Sequence, residues 1–205
     1  MKRLALATLC ACATAFLVLP LQAQQGPPPP VVATPAELAQ VRAKSGQIEA
    51  IVSQLKAKRA DATLVNDVAV YAHAGRMLLE FPELFGTQAA IDRALETLDS
   101  GVAKAKQLQA GQAPWTLGNN RIYAYRSEID GSLQPYHVSL PANYDPAKPA
   151  RLYVWLHGRQ NTTTEVAFIY NFDHPRPPGN APVADNGQIQ IDLFGRINGA
   201  GWHWG

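Results

Sequence analysis

The stretch Arg151-Leu152-Tyr153-Val154-Trp155-Leu156-His157-Gly158-Arg159 joins an unbroken apolar run to a small turn whose backbone is open to close approach. An apolar run without alternation reads as a buried parallel strand that delivers its loop to the carboxyl edge of a sheet. Open α/β sheets place ligand chemistry at that edge, so the backbone N–H groups of this turn are candidates to hold a substrate oxygen. A loop of this kind serves a nucleophile, yet no Gly-x-Ser-x-Gly elbow follows before Gly205. Ser127, Ser132 and Ser139 sit in or beside a hairpin, and Ser45, Ser53 and Ser100 fall in helical segments. None of them has glycine on both sides at elbow spacing.

Other residue types carry fewer options. Trp202-His203-Trp204 could line a substrate pocket by stacking on a sugar or an aromatic ester, and packing in a core is the plainer alternative. Arg159 and Arg196 have the fork geometry that reads a carboxylate, or equally that makes a structural ion pair. His73 has Arg76 and Glu80 nearby and could act as a base; a surface or boundary histidine is the simpler assignment. No His-Glu-x-x-His and no clustered ligand spacing occurs, so no metal is expected and a metal hydrolase ranks behind the other readings.

Three regions would position these groups. Thr34-Pro35-Ala36-Glu37 combines an N-cap hydroxyl, a proline at the first helical position and a glutamate three residues after the cap. Helical spacing then runs through Leu38, Val41, Ile48, Val52 and Leu55, through Leu64, Val68, Tyr71, Gly75 and Leu78, and through Ile91, Leu95, Leu98, Val102, Ala105 and Leu108. Three amphipathic helices with short connections predict a hairpin bundle over residues 35–112. Past Pro114-Trp115 the period becomes strand-like, with a β-hairpin turning at Asp130-Gly131, the apolar strand at Leu152–Leu156 and a further strand over Gln188–Phe194. Thr162 with Glu165 predicts a capping box at the start of a short intervening helix.

The ends bound the compartment. Met1-Lys2-Arg3 followed by the uncharged stretch Leu4–Leu21 and Gln22-Ala23-Gln24 reads as a secretory signal peptide over residues 1–23, cleaved after Ala23. Contact with a membrane follows only if that segment stays uncleaved. Residues 24–34 hold Pro27-Pro28-Pro29-Pro30 and read as a polyproline spacer. Cys10 and Cys12 both lie in the signal segment, so a processed chain has no disulfide and no thiol chemistry. Losing Lys2 and Arg3 leaves basic residues equal in number to the 16 acidic ones. Without a basic stripe, nucleic acid is not an expected partner.

A hairpin, a parallel strand ending in His-Gly, a short helix and a strand ending in Gly-Arg reproduce the opening order of one kind of sheet. With Asp130-Gly131-Ser132-Leu133-Gln134-Pro135-Tyr136, Leu156-His157-Gly158-Arg159 and Phe194-Gly195-Arg196, the second half resembles the first portion of a secreted α/β hydrolase of the esterase or prolyl-oligopeptidase-like serine hydrolase family. The resemblance covers roughly residues 119–205. It implies an α/β fold in which a helical bundle precedes the first strands of an incomplete hydrolase sheet.

By that resemblance, the Arg159 backbone N–H would donate to the oxyanion while Gly158 permits close approach. His157 would hold the turn by hydrogen bonding, and Trp202 and Trp204 would contact substrate. The catalytic histidine of the family follows serine and acid in chain order, which excludes His137, His157, His174 and His203 from that post. The expectation is therefore the amino-terminal part of an exported serine hydrolase that cleaves ester or peptide bonds through an acyl-enzyme. It needs no cofactor and is inactive as these residues alone. The alternative is a non-catalytic exported protein that presents Trp115, Trp155, Trp202 and Trp204 to a carbohydrate or peptide; Trp155, in a strand read as buried, weighs against it.

Overall fold

The computed structural model describes residues 29–156, 164–174 and 187–195. The segment read as a signal peptide, residues 24–28 of the proline-rich stretch, His157, Gly158, Arg159, Thr162, Arg196, Trp202, His203 and Trp204 lie outside the described residues. Helix α1 (Pro35–Ala57) starts at the expected cap: Thr34 accepts from the Glu37 amide, and the Glu37 carboxylate accepts from the Thr34 backbone at 2.7 Å. Helix α2 (Ala62–Glu80) is capped by Asp61, which accepts from the Thr63 and Leu64 amides. Helix α3 (Gln88–Gln109) is capped by Thr87. Lys44 meets Asp99 and Gln54 meets Gln109, so α1 and α3 run in the same direction. The short α1–α2 and α2–α3 connections then make α2 antiparallel to both.

Apolar stripes meet in the middle of this bundle, where Ile48, Val68, Tyr71, Leu78, Ile91 and Leu98 lose essentially all contact with water. Gly101 lets α3 close on α2. A Cβ there would stand 2.4 Å from Cβ of Tyr71 and 2.8 Å from Cδ1 of Ile48. The end of the spacer docks on the bundle through the Val31 amide, which donates to the Gly86 carbonyl.

Strands β1 (Asn120–Arg126), β2 (Leu133–Ser139), β3 (Leu152–Leu156) and β4 (Ile189–Leu193) form one sheet in the order β1-β2-β4-β3. The β1–β2 and β2–β4 pairs are antiparallel, and β3 runs parallel to β4. An α/β mixture of helices and a mixed sheet is therefore the fold class. The hairpin turns where expected, with Gly131 at φ 71° and the Ser127 amide donating to the Ser132 carbonyl just beyond the end of β1. Pro135 is tolerated inside β2 because its nitrogen points away from β1, beyond the end of the β2–β4 ladder, which begins at Tyr136.

Helix α4 (Glu165–Asp173) links β3 to β4 and packs on the same side of the sheet as the bundle. That side buries Ile122, Ala124, His137, Asp192 and Phe194. Two sequence expectations need correction. The cap of α4 is Thr164, which accepts from the Ala167 amide, not Thr162 with Glu165; Glu165 instead sits in the first turn with its side chain buried. Strand β3 is parallel as expected but not buried: Leu152, Val154 and Leu156 are about half exposed, as is Trp155 at 45%. It forms an edge of the described sheet, where one neighbour is β4 and the helices do not reach.

Candidate functional site

A row of ionisable side chains lies where the bundle meets the sheet. Asp67 projects from the apolar stripe of α2 and is 1% exposed. Its Oδ1 accepts from the Ala124 amide at 2.8 Å, and its Oδ2 accepts from Trp115 Nε1 at 3.3 Å. The reason is the register of the hairpin. Ala124 stands opposite Pro135 in a non-hydrogen-bonded pair, so its N–H points outward from the β1 edge and needs an acceptor from elsewhere. Burial pushes the Asp67 carboxyl up to about 6, against the opposing pull of its two hydrogen bonds and of the Lys104 charge.

One turn further along α2, Tyr71 donates its hydroxyl to Asp173 Oδ2 at 2.5 Å. Lys104 of α3 reaches the same tyrosine oxygen and binds both Asp173 oxygens, at 2.9 and 3.2 Å. Burial, then the Asp173 charge, drives the Tyr71 phenol well above its ordinary range, so this phenol stays protonated as a donor. Three helices thus share one ion pair, with 15% and 13% of its side chains exposed.

At the other end of α4, His73 Nε2 stands 3.4 Å from Glu165 Oε1. That separation is long for a hydrogen bond and within reach of an ion pair. The Glu165 carboxylate raises the His73 imidazole above its usual range through hydrogen bonding and charge, while burial opposes the shift. Glu165 Oε2 is buried and has no hydrogen-bond partner. In the sheet, His137 Nδ1 lies 2.8 Å from Asp192 Oδ2, with the His137 ring stacked on Phe172 at 3.9 Å between centroids.

These groups can bind, orient and exchange protons, and their geometry ties layers together. Ser132, the turn serine, gives its hydroxyl to Asp130. Of the tryptophans, Trp115 is tied to Asp67, whereas Trp155 is exposed and lies near Tyr153, at 6.3 Å between ring centroids. The sequence-predicted site residues His157, Gly158, Arg159, Trp202 and Trp204 lie outside the described residues. Sequence reasoning took Tyr71 as core, His73 as a boundary residue and Glu165 as part of a cap, and missed Lys104. The available signal was Asp67, a carboxylate three residues after Leu64 and four before Tyr71 on an otherwise apolar stripe.

Among the described residues, no cluster of three metal-ligating side chains occurs and no helix is long and apolar enough to cross a membrane. No protein-family model, no curated protein and no solved structure matches the chain.

Proposed function

We propose that this chain is the amino-terminal part of an exported serine hydrolase acting on esters or peptides through an acyl-enzyme. The observation that carries the reading is the sheet order β1-β2-β4-β3, with β2 antiparallel to both neighbours and β3 joined to a parallel β4 through α4. This is the topology with which an α/β-hydrolase sheet opens. It sends the residues after Leu156 and those after Leu193 to the same sheet edge, where backbone donors would face a substrate carbonyl. On this reading Gly158 and Arg159 supply one oxyanion donor, and the second follows a nucleophile that these residues do not contain.

The exposed parallel edge fits the same account. In an open α/β sheet the nucleophile strand needs a parallel neighbour, and β3 offers its free side together with the apolar side chains Leu152, Val154 and Leu156. The signal-like start supports export, with substrate handled outside the cytoplasm.

The test is to read the coding sequence past the Gly205 codon and express the whole frame. A Gly-x-Ser-x-Gly motif whose serine is labelled by a fluorophosphonate, with no labelling of the 205-residue chain, is the expected result. A stop codon at once, or catalytic turnover of a p-nitrophenyl ester by the 205 residues alone, sinks the proposal.

One observation favours the second reading, a carbohydrate- or peptide-binding protein: Trp155 and Tyr153 form an exposed aromatic pair on β3. Saturable quenching of tryptophan fluorescence by an oligosaccharide, lost in Trp155→Ala, would establish it.

A further inference from the structure

Helix α4 is held to the bundle at both ends, by contacts of different kinds. Asp173, its last residue, is bound by the Lys104 ammonium of α3 and by the Tyr71 phenol of α2, whose proton burial holds in place. Glu165, its first residue, faces His73 of α2, the side chain type that changes charge near neutrality. Glu165 is 4% exposed and its Oε2 lacks any partner, whereas His73 keeps 29% of its side chain open to solvent.

We propose that the His73–Glu165 contact is a proton-dependent latch: α4 stays fastened at Asp173 at all neutral pH values, while its first turn opens when His73 loses its proton. The inference concerns how α4 is held and stands independently of the hydrolase reading.

The physical argument follows from the charges around the pair. With His73 protonated, the buried carboxylate has a counter-ion. With His73 neutral, an ionised Glu165 is left buried and half-satisfied, which is strongly unfavourable unless water reaches it. Opening the first turn admits that water. Besides Glu165, His73 is faced by Glu80 from its own helix, which favours the proton, and by Arg126 of β1, which opposes it. Of the other charges that α1 and α3 present to α2, Glu49 is taken by Arg76 and Lys104 by Asp173. The proton on His73 then sets the balance at the amino end.

Hydrogen exchange on the full chain reads the latch directly. The Ala167 amide donates to Thr164 Oγ1 and the Phe168 amide to the Thr164 carbonyl, so both report the first turn. Corrected for intrinsic exchange, their protection is expected to fall several-fold between about pH 5.5 and about pH 8.5, a window that brackets the ordinary histidine range. His73→Gln should flatten that dependence, and His174→Gln, at the opposite end of the helix, should leave it intact. With both proteins carrying Asp67→Asn, which removes the carboxyl that titrates at about 6, a flat profile where His73 is present, or a fall that survives in His73→Gln, overturns the proposal. If His73→Gln does not fold, the His73 ring resonance is titrated in the wild type and in Glu165→Gln. A midpoint above about 6.5 that drops in Glu165→Gln supports the latch; a midpoint at or below that value, or one indifferent to Glu165, overturns it.

Discussion

Replacing Asp67 with Asn isolates one carboxylate's contribution to stability as a function of pH. In the folded chain this carboxyl titrates at about 6, against 3.8 for an unperturbed aspartate. The folded state therefore holds the proton more tightly than the unfolded one, and stability is greatest below 3.8 and declines as pH rises through 6. Closing that gap costs about 3 kcal/mol over the full window, since each pH unit of difference corresponds to about 1.4 kcal/mol. The amide in Asp67→Asn does not titrate, and its carbonyl can still accept from the Ala124 amide. Urea unfolding followed by tryptophan fluorescence, run on both proteins from about pH 4 to about pH 7.5, gives the difference in unfolding free energy between wild type and Asp67→Asn. That difference is expected to move against the wild type by about 2–3 kcal/mol across the range. A constant difference would mean that burial does not control Asp67, and a difference that moves in favour of the wild type would mean that Asp67 acts as one half of a strong ion pair. Either result refutes the account of this carboxylate as a buried acceptor for the β1 edge.

Two further perturbations test the packing. Gly46→Ala and Gly101→Ala make the same change in two helix interiors: a Cβ at Gly46 meets nothing within 4 Å, while one at Gly101 runs into Tyr71 and Ile48. Thermal unfolding should show Gly46→Ala stabilised by about 0.5–1 kcal/mol and Gly101→Ala destabilised by about 1–3 kcal/mol. The 205-residue chain should self-associate through its bare apolar β3 edge, and Val154→Lys should reduce the association seen by analytical ultracentrifugation. Equal sedimentation of the two proteins at every concentration would show that this edge is not the sticky surface.

Local chemistry made the helices legible. Thr34-Pro35-Ala36-Glu37 carries its own start signal, and the stripe Leu64, Val68, Tyr71, Leu78 marks one face of α2 because a helix returns to the same side every three or four residues. Asp130-Gly131 marked the hairpin because only a residue free to adopt positive φ turns the chain there, and Gly131 does so. What periodicity could not supply was the neighbour. An apolar run such as Leu152–Leu156 says that a strand prefers burial, and says nothing about which element lies on its far side; in the described sheet that side is open. Three consecutive threonines, Thr162 to Thr164, leave the cap position of α4 ambiguous by a residue or two, and the register was settled by burying Val166, Phe168 and Ile169 together. The polar junction was hidden for another reason. Lys104 lies 33 residues from Tyr71 and 69 from Asp173 along the chain, so no window of sequence holds their relation.

The two faces of the sheet explain why this junction exists. Alternation places Ile122, Ala124, His137 and Asp192 on one face, against α4 and the bundle, and Tyr123, Tyr136, Val138, Ile191 and Leu193 on the other, where they remain partly exposed. The helical layer is thus joined to the face already covered, and it is joined by specific polar contacts, Asp67 to the β1 edge and Lys104 to the end of α4, in addition to apolar area. Apolar packing alone tolerates sliding between layers, since any register buries similar area; a carboxylate aimed at one amide of one edge strand does not. An element that paired with β3 would therefore meet a sheet whose position relative to the bundle is already set by residues within this chain.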